Sequence, residues 1–231
     1  MPEIRLLRHA ETTGYAGDLG LSERGTEQAA AAAAALAAEL GAGATLGLRH
    51  APSVRARVTA EVLAADLLAA GVEVDGPRPD AGFANFAVAA DGEVREQAEV
   101  FGEHADAAER PFEDLPGWLG DIARFRAVHV GGGDPIGFWL TTPLLGFEPP
   151  AVAVRRYWRA LRTVEPGRLT VVAAHSGPMR ALVAHAFARD LGEPENLEAV
   201  AVELDGDGAE VRYRGETAAI AVPGTTEPAW W

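Results

Sequence analysis

Apolar and polar positions alternate along this chain in two rhythms, one suited to buried strands and one to helices. Ile4 to Leu7 is a short apolar run that predicts a buried strand ending at Arg8-His9. A glycine-containing loop, Thr13 to Gly20, follows. Ser22 then predicts the N-cap of a helix from about Glu23 to Leu40, closed by Gly41. The seven alanines from Ala29 to Ala35 fall inside it, and alanine is the best helix former, so a packed helix is expected rather than a disordered tract. Thr45 to Leu48 predicts a second strand, and Ser53 to Ala70 a second helix with Val54, Val58, Val62 and Leu63 on its apolar face. From Gly71 to Gly133 the periodicity blurs, and only short helices near Glu93 to Ala108 and Leu119 to Val128 are expected. Pro149 and Pro150 open a helix to about Val164. Leu169 to Ala174 is the clearest strand, and a helix from Pro178 to about Leu191 follows it. Val200 to Leu204 and Glu210 to Tyr213, around Asp205-Gly206-Asp207-Gly208, predict a β-hairpin.

Strands alternating with helices predict an α/β fold, a three-layer sandwich whose mostly parallel central sheet carries helices on both faces. No internal repeat or linker divides the chain. One domain over residues 1–223 is expected, with an insertion or lid at about 80–150 and a loose tail at 224–231. Sites in such folds lie beyond the carboxyl ends of the strands. The first strand and the strand ending at Ala174 run directly into Arg8-His9 and His175.

Composition narrows the chemistry. The chain has 231 residues and no cysteine, which removes disulfides, thiolate catalysis and thiolate zinc sites. The start, MPEIRLLRHAE, carries Glu3, Arg5 and Arg8 and lacks the apolar core of a signal peptide. No segment approaches the ~20 apolar residues of a membrane span, so a cytoplasmic protein is expected. A formal net charge of −14 argues against nucleic acid or an anionic membrane as partner. It leaves room for a phosphorylated small molecule held in a local cationic pocket, because clustered charges outweigh net charge at short range. Oligomeric state is open, a homodimer being one option.

Arg8-His9 or His175 alone is an ordinary strand end. Together with Arg55 near a helix start they supply two neutral nitrogen centres among fixed cations. Phosphoryl transfer needs that set: an in-line nucleophile and positive donors on the equatorial oxygens. Arginine suits the second task because its planar fork binds phosphate oxygens in pairs. An unprotonated histidine suits the first, since its phosphoramidate hydrolyses readily and splits one slow displacement into two easier ones. His50, His104, His129 and His185 show no ligand spacing and are expected to be structural or on the surface. The glycine-rich stretch Gly131 to Gly133 lacks a Gly-Lys-Ser/Thr ending and is expected to be a loop.

Four segments, in order, resemble the histidine phosphatase superfamily, the branch that includes phosphoglycerate mutase. Leu6 to Thr12 resembles its Arg-His-Gly-Glu-Thr motif, and Leu21 to Gly25 with Gln28-Ala29 resembles Leu-Thr-x-x-Gly-x-x-Gln-Ala. Val54 to Ala60 is similar to the Arg-Ala-x-x-Thr-Ala helix, and Val171 to Gly177 to the strand and turn presenting the second histidine. The resemblance implies His9 as phosphate acceptor, with Arg8, Arg55 and His175 completing the phosphate pocket and the Ser176 amide adding a donor. It implies no metal and no cofactor.

Three positions depart from the family pattern. Ala10 replaces a glycine, and Tyr15 falls where many members place an asparagine facing the substrate. Asn85, in Phe83-Ala84-Asn85-Phe86, falls where many members carry the glutamate that protonates the leaving oxygen. An amide cannot deliver that proton, and general-acid help is typically worth ~10²–10⁴-fold. Asp134 is the foremost substitute, on a lid ending in Phe138 and Trp139, with Asp80, Asp91 and Glu93 behind it. The expected function is hydrolysis of a small phosphorylated metabolite through a phosphohistidine. The alternatives are a mutase, which Asn85 disfavours, and a pocket repurposed for another reaction or for ligand binding.

Overall fold

The structure, a computed structural model, describes residues 3–14, 17–104, 106, 109–110 and 115–223. In chain order the elements are β1 (Glu3–Arg8), α1 (Glu23–Leu40), β2 (Thr45–His50), α2 (Val54–Ala69), β3 (Glu73–Pro79), β4 (Ala87–Ala90), β5 (Glu93–Glu96), α3 (Gln97–Glu103), α4 (Gly117–Val130), α5 (Pro135–Thr141), α6 (Pro150–Leu161), β6 (Leu169–Ala174), α7 (Ser176–Phe187), β7 (Ala199–Asp205), β8 (Gly208–Tyr213) and β9 (Glu216–Ala221). A short 3-10 turn at Ala81–Phe83 follows β3.

Seven strands form one sheet in the order β3-β2-β6-β1-β7-β8-β9. The first four are parallel, and β7, β8 and β9 extend the sheet as an antiparallel meander. Side chains on a strand alternate between faces, and the two apolar clusters follow that alternation. Val171 and Ala173 of β6 pack with Leu63 and Leu67 of α2 and Leu36 of α1. Val172 and Ala174 join Tyr157 and Trp158 of α6 and Leu182 of α7 on the other face. Helices therefore cover both sides of the sheet, as the strand–helix alternation predicts.

Capping explains the helix limits. Ser22 accepts from the Gly25 amide at the start of α1, and Gly41, at φ 80°, closes it. Ser53 does the same for α2 through Ala56. The glycine-rich stretch is a loop as far as Asp134, which then caps a short helix, α5, that periodicity alone does not reveal.

The expected helix over Glu93 to Ala108 is corrected. Residues 93–96 form β5 and pair antiparallel with β4, and the helix begins only at Gln97. The reason is local: Asp91 (φ 52°) and Gly92 (φ 83°) both take positive φ, as a tight two-residue hairpin turn demands. Strands β3 and β9 also lay outside the predicted set. The C-terminal stretch 224–231 lies outside the described residues.

Among the 80–150 residues, Phe86, Phe125, Trp139 and Phe147 form a buried aromatic cluster, with Phe86 stacked on Trp139 at 4.5 Å between ring centroids. That cluster continues into the core beneath β1 and β6, so this segment is tied to the sheet by packing.

Candidate active site

The site begins with strand register. Arg8 at the end of β1 pairs with Ala174 at the end of β6, and the His9 amide donates to the Ala174 carbonyl at 2.9 Å. Two strand ends thus bring residues 166 positions apart side by side: the His9 and His175 rings lie 5.4 Å apart, edge to face. Both are almost fully buried.

The ring protons can be assigned from their neighbours. His9 Nδ1 lies 2.8 Å from the Ala10 carbonyl, which only accepts, so Nδ1 carries the hydrogen and Nε2 keeps its lone pair. His175 Nδ1 faces the Arg55 guanidinium, which only donates, at 3.3 Å, so its hydrogen sits on Nε2, toward the Ser53 hydroxyl at 3.1 Å. Burial, then the charges of Arg55 and Arg8, push the His9 pKa down to about 3. Burial first, then Arg55, hold His175 well below the ordinary histidine value. Both rings are therefore neutral at pH 7, and His9 presents an unprotonated nitrogen.

The loop after His9 is fixed from outside. The Ala10 amide donates to Thr59 Oγ1 at 3.0 Å, and Thr59 returns its own hydrogen to the Arg55 carbonyl. The Glu11 amide donates to Gln28, the Ser22 amide donates to the Glu11 carbonyl, and a Cβ added at Gly25 would lie 2.0 Å from that carbonyl. Gly25, Gln28 and Thr59 are thus the contacts that hold the His9 loop, which explains their spacing in the sequence. Ala10 is buried and is not among the residues with positive φ, so a side chain replaces hydrogen there without backbone strain.

A cleft of about 710 Å³ opens over the strand ends. Arg8, His9, Arg55, His175 and Ser176, the candidates singled out in the sequence, all line it. Arg55 is buried, and its Nε has no hydrogen-bond partner. The first turn of α7 has no side-chain cap, so the Ser176 and Gly177 amides add donors and a helix N-terminus to the lining. Asn85, Gln97, Phe101, Phe125, Ile136 and His129 belong to the rest of the lining. Tyr15 lies outside the described residues.

The proposed acids fall elsewhere. Asp134 caps α5 through the Gly137 amide and grips Arg180 with both oxygens, at 2.7 and 2.6 Å. That guanidinium holds its carboxyl below the usual carboxylate range. Asp80 pairs with Arg49 and caps the 3-10 turn. Asp91 sits at the hairpin turn and Glu93 is exposed on β5. None of the four lines the cleft.

Sequence reasoning missed four residues at this site. Asp18 accepts from Arg55 Nη1 at 3.0 Å and from the Val54 amide at 2.6 Å. Glu96 accepts from Arg55 Nη2 at 2.8 Å. Glu193 pairs with Arg8 at 3.1 Å, and Asn196 donates to the His9 carbonyl. Glu96 alone left a signal: Asp91-Gly92 between short alternating runs marks a hairpin, whose register sets Glu96 opposite Ala87 and therefore near Asn85.

Residues 4–115 match the model of the histidine phosphatase superfamily, branch 1. Over this segment, just under half of its length, the chain is similar to that superfamily. No curated protein matches the sequence. Among solved structures, a mycobacterial glucosyl-3-phosphoglycerate phosphatase complexed with VO3 is 22% identical, over 88% of this chain and 93% of that one, with a TM-score of 0.54. A phosphoserine phosphatase mutant from Entamoeba histolytica, in complex with phosphoserine, is 15% identical over 98% of each chain, with a TM-score of 0.53. At these identities the likeness is one of fold, and at 98% coverage it extends beyond residue 115 to the strand and helix that carry His175.

Among the described residues no helix is long and apolar enough to cross a membrane, and no three histidine or carboxylate side chains group closely enough to hold a metal ion.

Proposed function

We propose that this protein is a metal-independent phosphatase that hydrolyses a small phosphorylated metabolite through a phosphohistidine at His9. The observation that carries the reading is the His9 ring: neutral, pinned through Nδ1 by the Ala10 carbonyl, with Nε2 open and a second neutral imidazole beside it. Arg8, Arg55, His175 and the Ser176 amide supply donors for the phosphoryl oxygens, so charge on the transferring group meets fixed dipoles rather than water. His175, neutral with its hydrogen on Nε2, is a hydrogen-bonding group here rather than a second cation.

The leaving group follows from the remaining cleft. About 710 Å³ is within the range of small-molecule sites and far exceeds one phosphoryl group. Phe101, Phe125 and Ile136 give its far part an apolar wall, which favours an organic leaving group with an apolar face. The fold's relatives, named for glucosyl-3-phosphoglycerate and phosphoserine, agree with a small-metabolite substrate. The expectation of a cytoplasmic enzyme is kept with this reading.

The test is a screen of phosphate monoesters, diphosphates and phosphoramidates, with and without chelator and with His9→Ala as control. Turnover by the wild type, its loss in His9→Ala, and an acid-labile, base-stable phosphoryl group on acid-quenched wild type are expected. Undiminished turnover in His9→Ala, or activity that chelator removes and a divalent ion restores, refutes the reading.

A further inference from the structure

An alkyl phosphate needs a proton on its departing oxygen, and Asn85 has none of the right acidity to give. The amide is not alone, however. The β4–β5 ribbon folds Glu96 against it: Asn85 Nδ2 lies 3.4 Å from Glu96 Oε1 and 3.0 Å from the Gln97 side-chain oxygen. Asn85 and Gln97 line the cleft, and Glu96, which does not, meets it through its contacts with Asn85 and Arg55. Glu96 is also one guanidinium nitrogen from the histidine pair, because Arg55 Nη2 contacts Glu96 Oε1 at 2.8 Å and His175 Nδ1 at 3.3 Å. Arg156 secures this corner by donating to the Gly82, Ala84 and Asn85 carbonyls while paired with Glu148.

The charges at the phosphate end sharpen the point. Arg8 and Arg55 are set against three carboxylates, Glu193, Asp18 and Glu96, and both histidines are neutral. Further along the cleft Arg126 and Glu195 offset one another. Among the described residues, the Arg8 and Arg55 guanidiniums therefore each already have a carboxylate partner that an arriving phosphate dianion would have to displace. Asp18 holds the Val54 amide and Arg55 Nη1 much as Glu96 holds the Ala98 amide and Arg55 Nη2, but Glu96 also touches Asn85, which lines the cleft. Glu193 also lines the cleft, but it is paired with Arg8 rather than set against Asn85. Glu96 has one oxygen anchored on the Ala98 amide and the other shared between Arg55 and Asn85. When Arg55 turns to phosphate oxygens, that second oxygen loses its cation and faces the dianion.

We propose that Glu96 is the proton donor to the leaving oxygen, loaded by the arrival of the substrate's own phosphate; this rests on the phosphatase reading above. In the first step His9 Nε2 forms the P–N bond and the bond from phosphorus to the leaving oxygen breaks. The Glu96 carboxyl hydrogen passes to that oxygen, which departs as an alcohol. In the second step water attacks phosphorus, its proton passes to the Glu96 carboxylate, the P–N bond breaks, and inorganic phosphate leaves. The carboxyl comes from β5 rather than from position 85, and Asn85 holds the shared oxygen.

The experiment compares wild type and Glu96→Gln on aryl and alkyl phosphates of graded leaving-group acidity, with phosphohistidine trapped by acid quench. Glu96→Gln should lose about 10²–10⁴-fold on alkyl esters and less than about tenfold on the best aryl ester, and should still trap phosphohistidine from that ester. Asn85→Glu in the Glu96→Gln background should recover part of the alkyl rate, since the two side chains are in contact. Equal losses on aryl and alkyl esters would make Glu96 a support for Arg55 only and overturn the proposal, as would unchanged rates. Failure of the phosphatase reading shows separately, as absence of a trapped phosphoryl group in the wild type.

Discussion

The neutrality of His9 can be measured through stability without any substrate. In the unfolded chain this imidazole takes a proton near its ordinary value of 6.5, whereas in the folded protein burial and the two arginines hold it to about 3. Between those limits the unfolded state binds the extra proton, so stability rises with pH. The contribution is fully present above about pH 7 and is lost as pH falls toward 3. At pH 5 the unfolded state has gained about 1.5 units at 1.36 kcal/mol each, which is about 2 kcal/mol from this ring. His9→Asn removes the titration while its side-chain amide can still donate to the Ala10 carbonyl. Urea unfolding at pH 8 and pH 5 should therefore show a smaller acid loss in His9→Asn than in wild type, by about 2 kcal/mol. His185 and the carboxylates are common to both proteins and cancel in the double difference, and His175 stays buried beside Arg55 in both. An identical acid loss in the two proteins would mean that folded His9 titrates like an open histidine. The unprotonated nucleophile inferred from the geometry would then be refuted.

Two further outcomes concern the supports of the site. Gly25→Ala should destabilise by about 3 kcal/mol and lower turnover together, because the new Cβ meets the Glu11 backbone carbonyl and pushes the His9 loop; melting and rate measurements on the one variant check both, and normal values for either would sink the idea. Asp134→Ala should cost about 1 kcal/mol through the lost α5 cap and leave the dependence of rate on leaving-group acidity unchanged, whereas a steeper dependence would restore Asp134 as the acid.

What the sequence determined by itself was local. The run ending in Arg8-His9 and the run ending at Ala174 are largely apolar strands, and such strands in a layered fold carry their sites at their carboxyl ends. Ser22, Gly41 and Ser53 set helix limits through caps that involve only near neighbours. The spacing of Gly25, Gln28 and Thr59 was legible as a motif, although its reason, the grip on the loop beyond His9, is tertiary. The partners of the two arginines were legible only in part. Asp18, Glu96 and Glu193 reach Arg55 and Arg8 across 37, 41 and 185 positions, and apart from the Asp91-Gly92 hairpin signal that sets Glu96 near Asn85, nothing in their own neighbourhoods marks them apart from other acidic residues. Asp134 shows the converse. Its setting in the sequence suggested a mobile acid, but the buried Arg180 guanidinium, 46 positions away, binds it bidentately at the start of α5. Strand and helix formation depends on periodicity within a dozen residues, whereas the charge of a pocket depends on which distant side chains the finished sheet brings together.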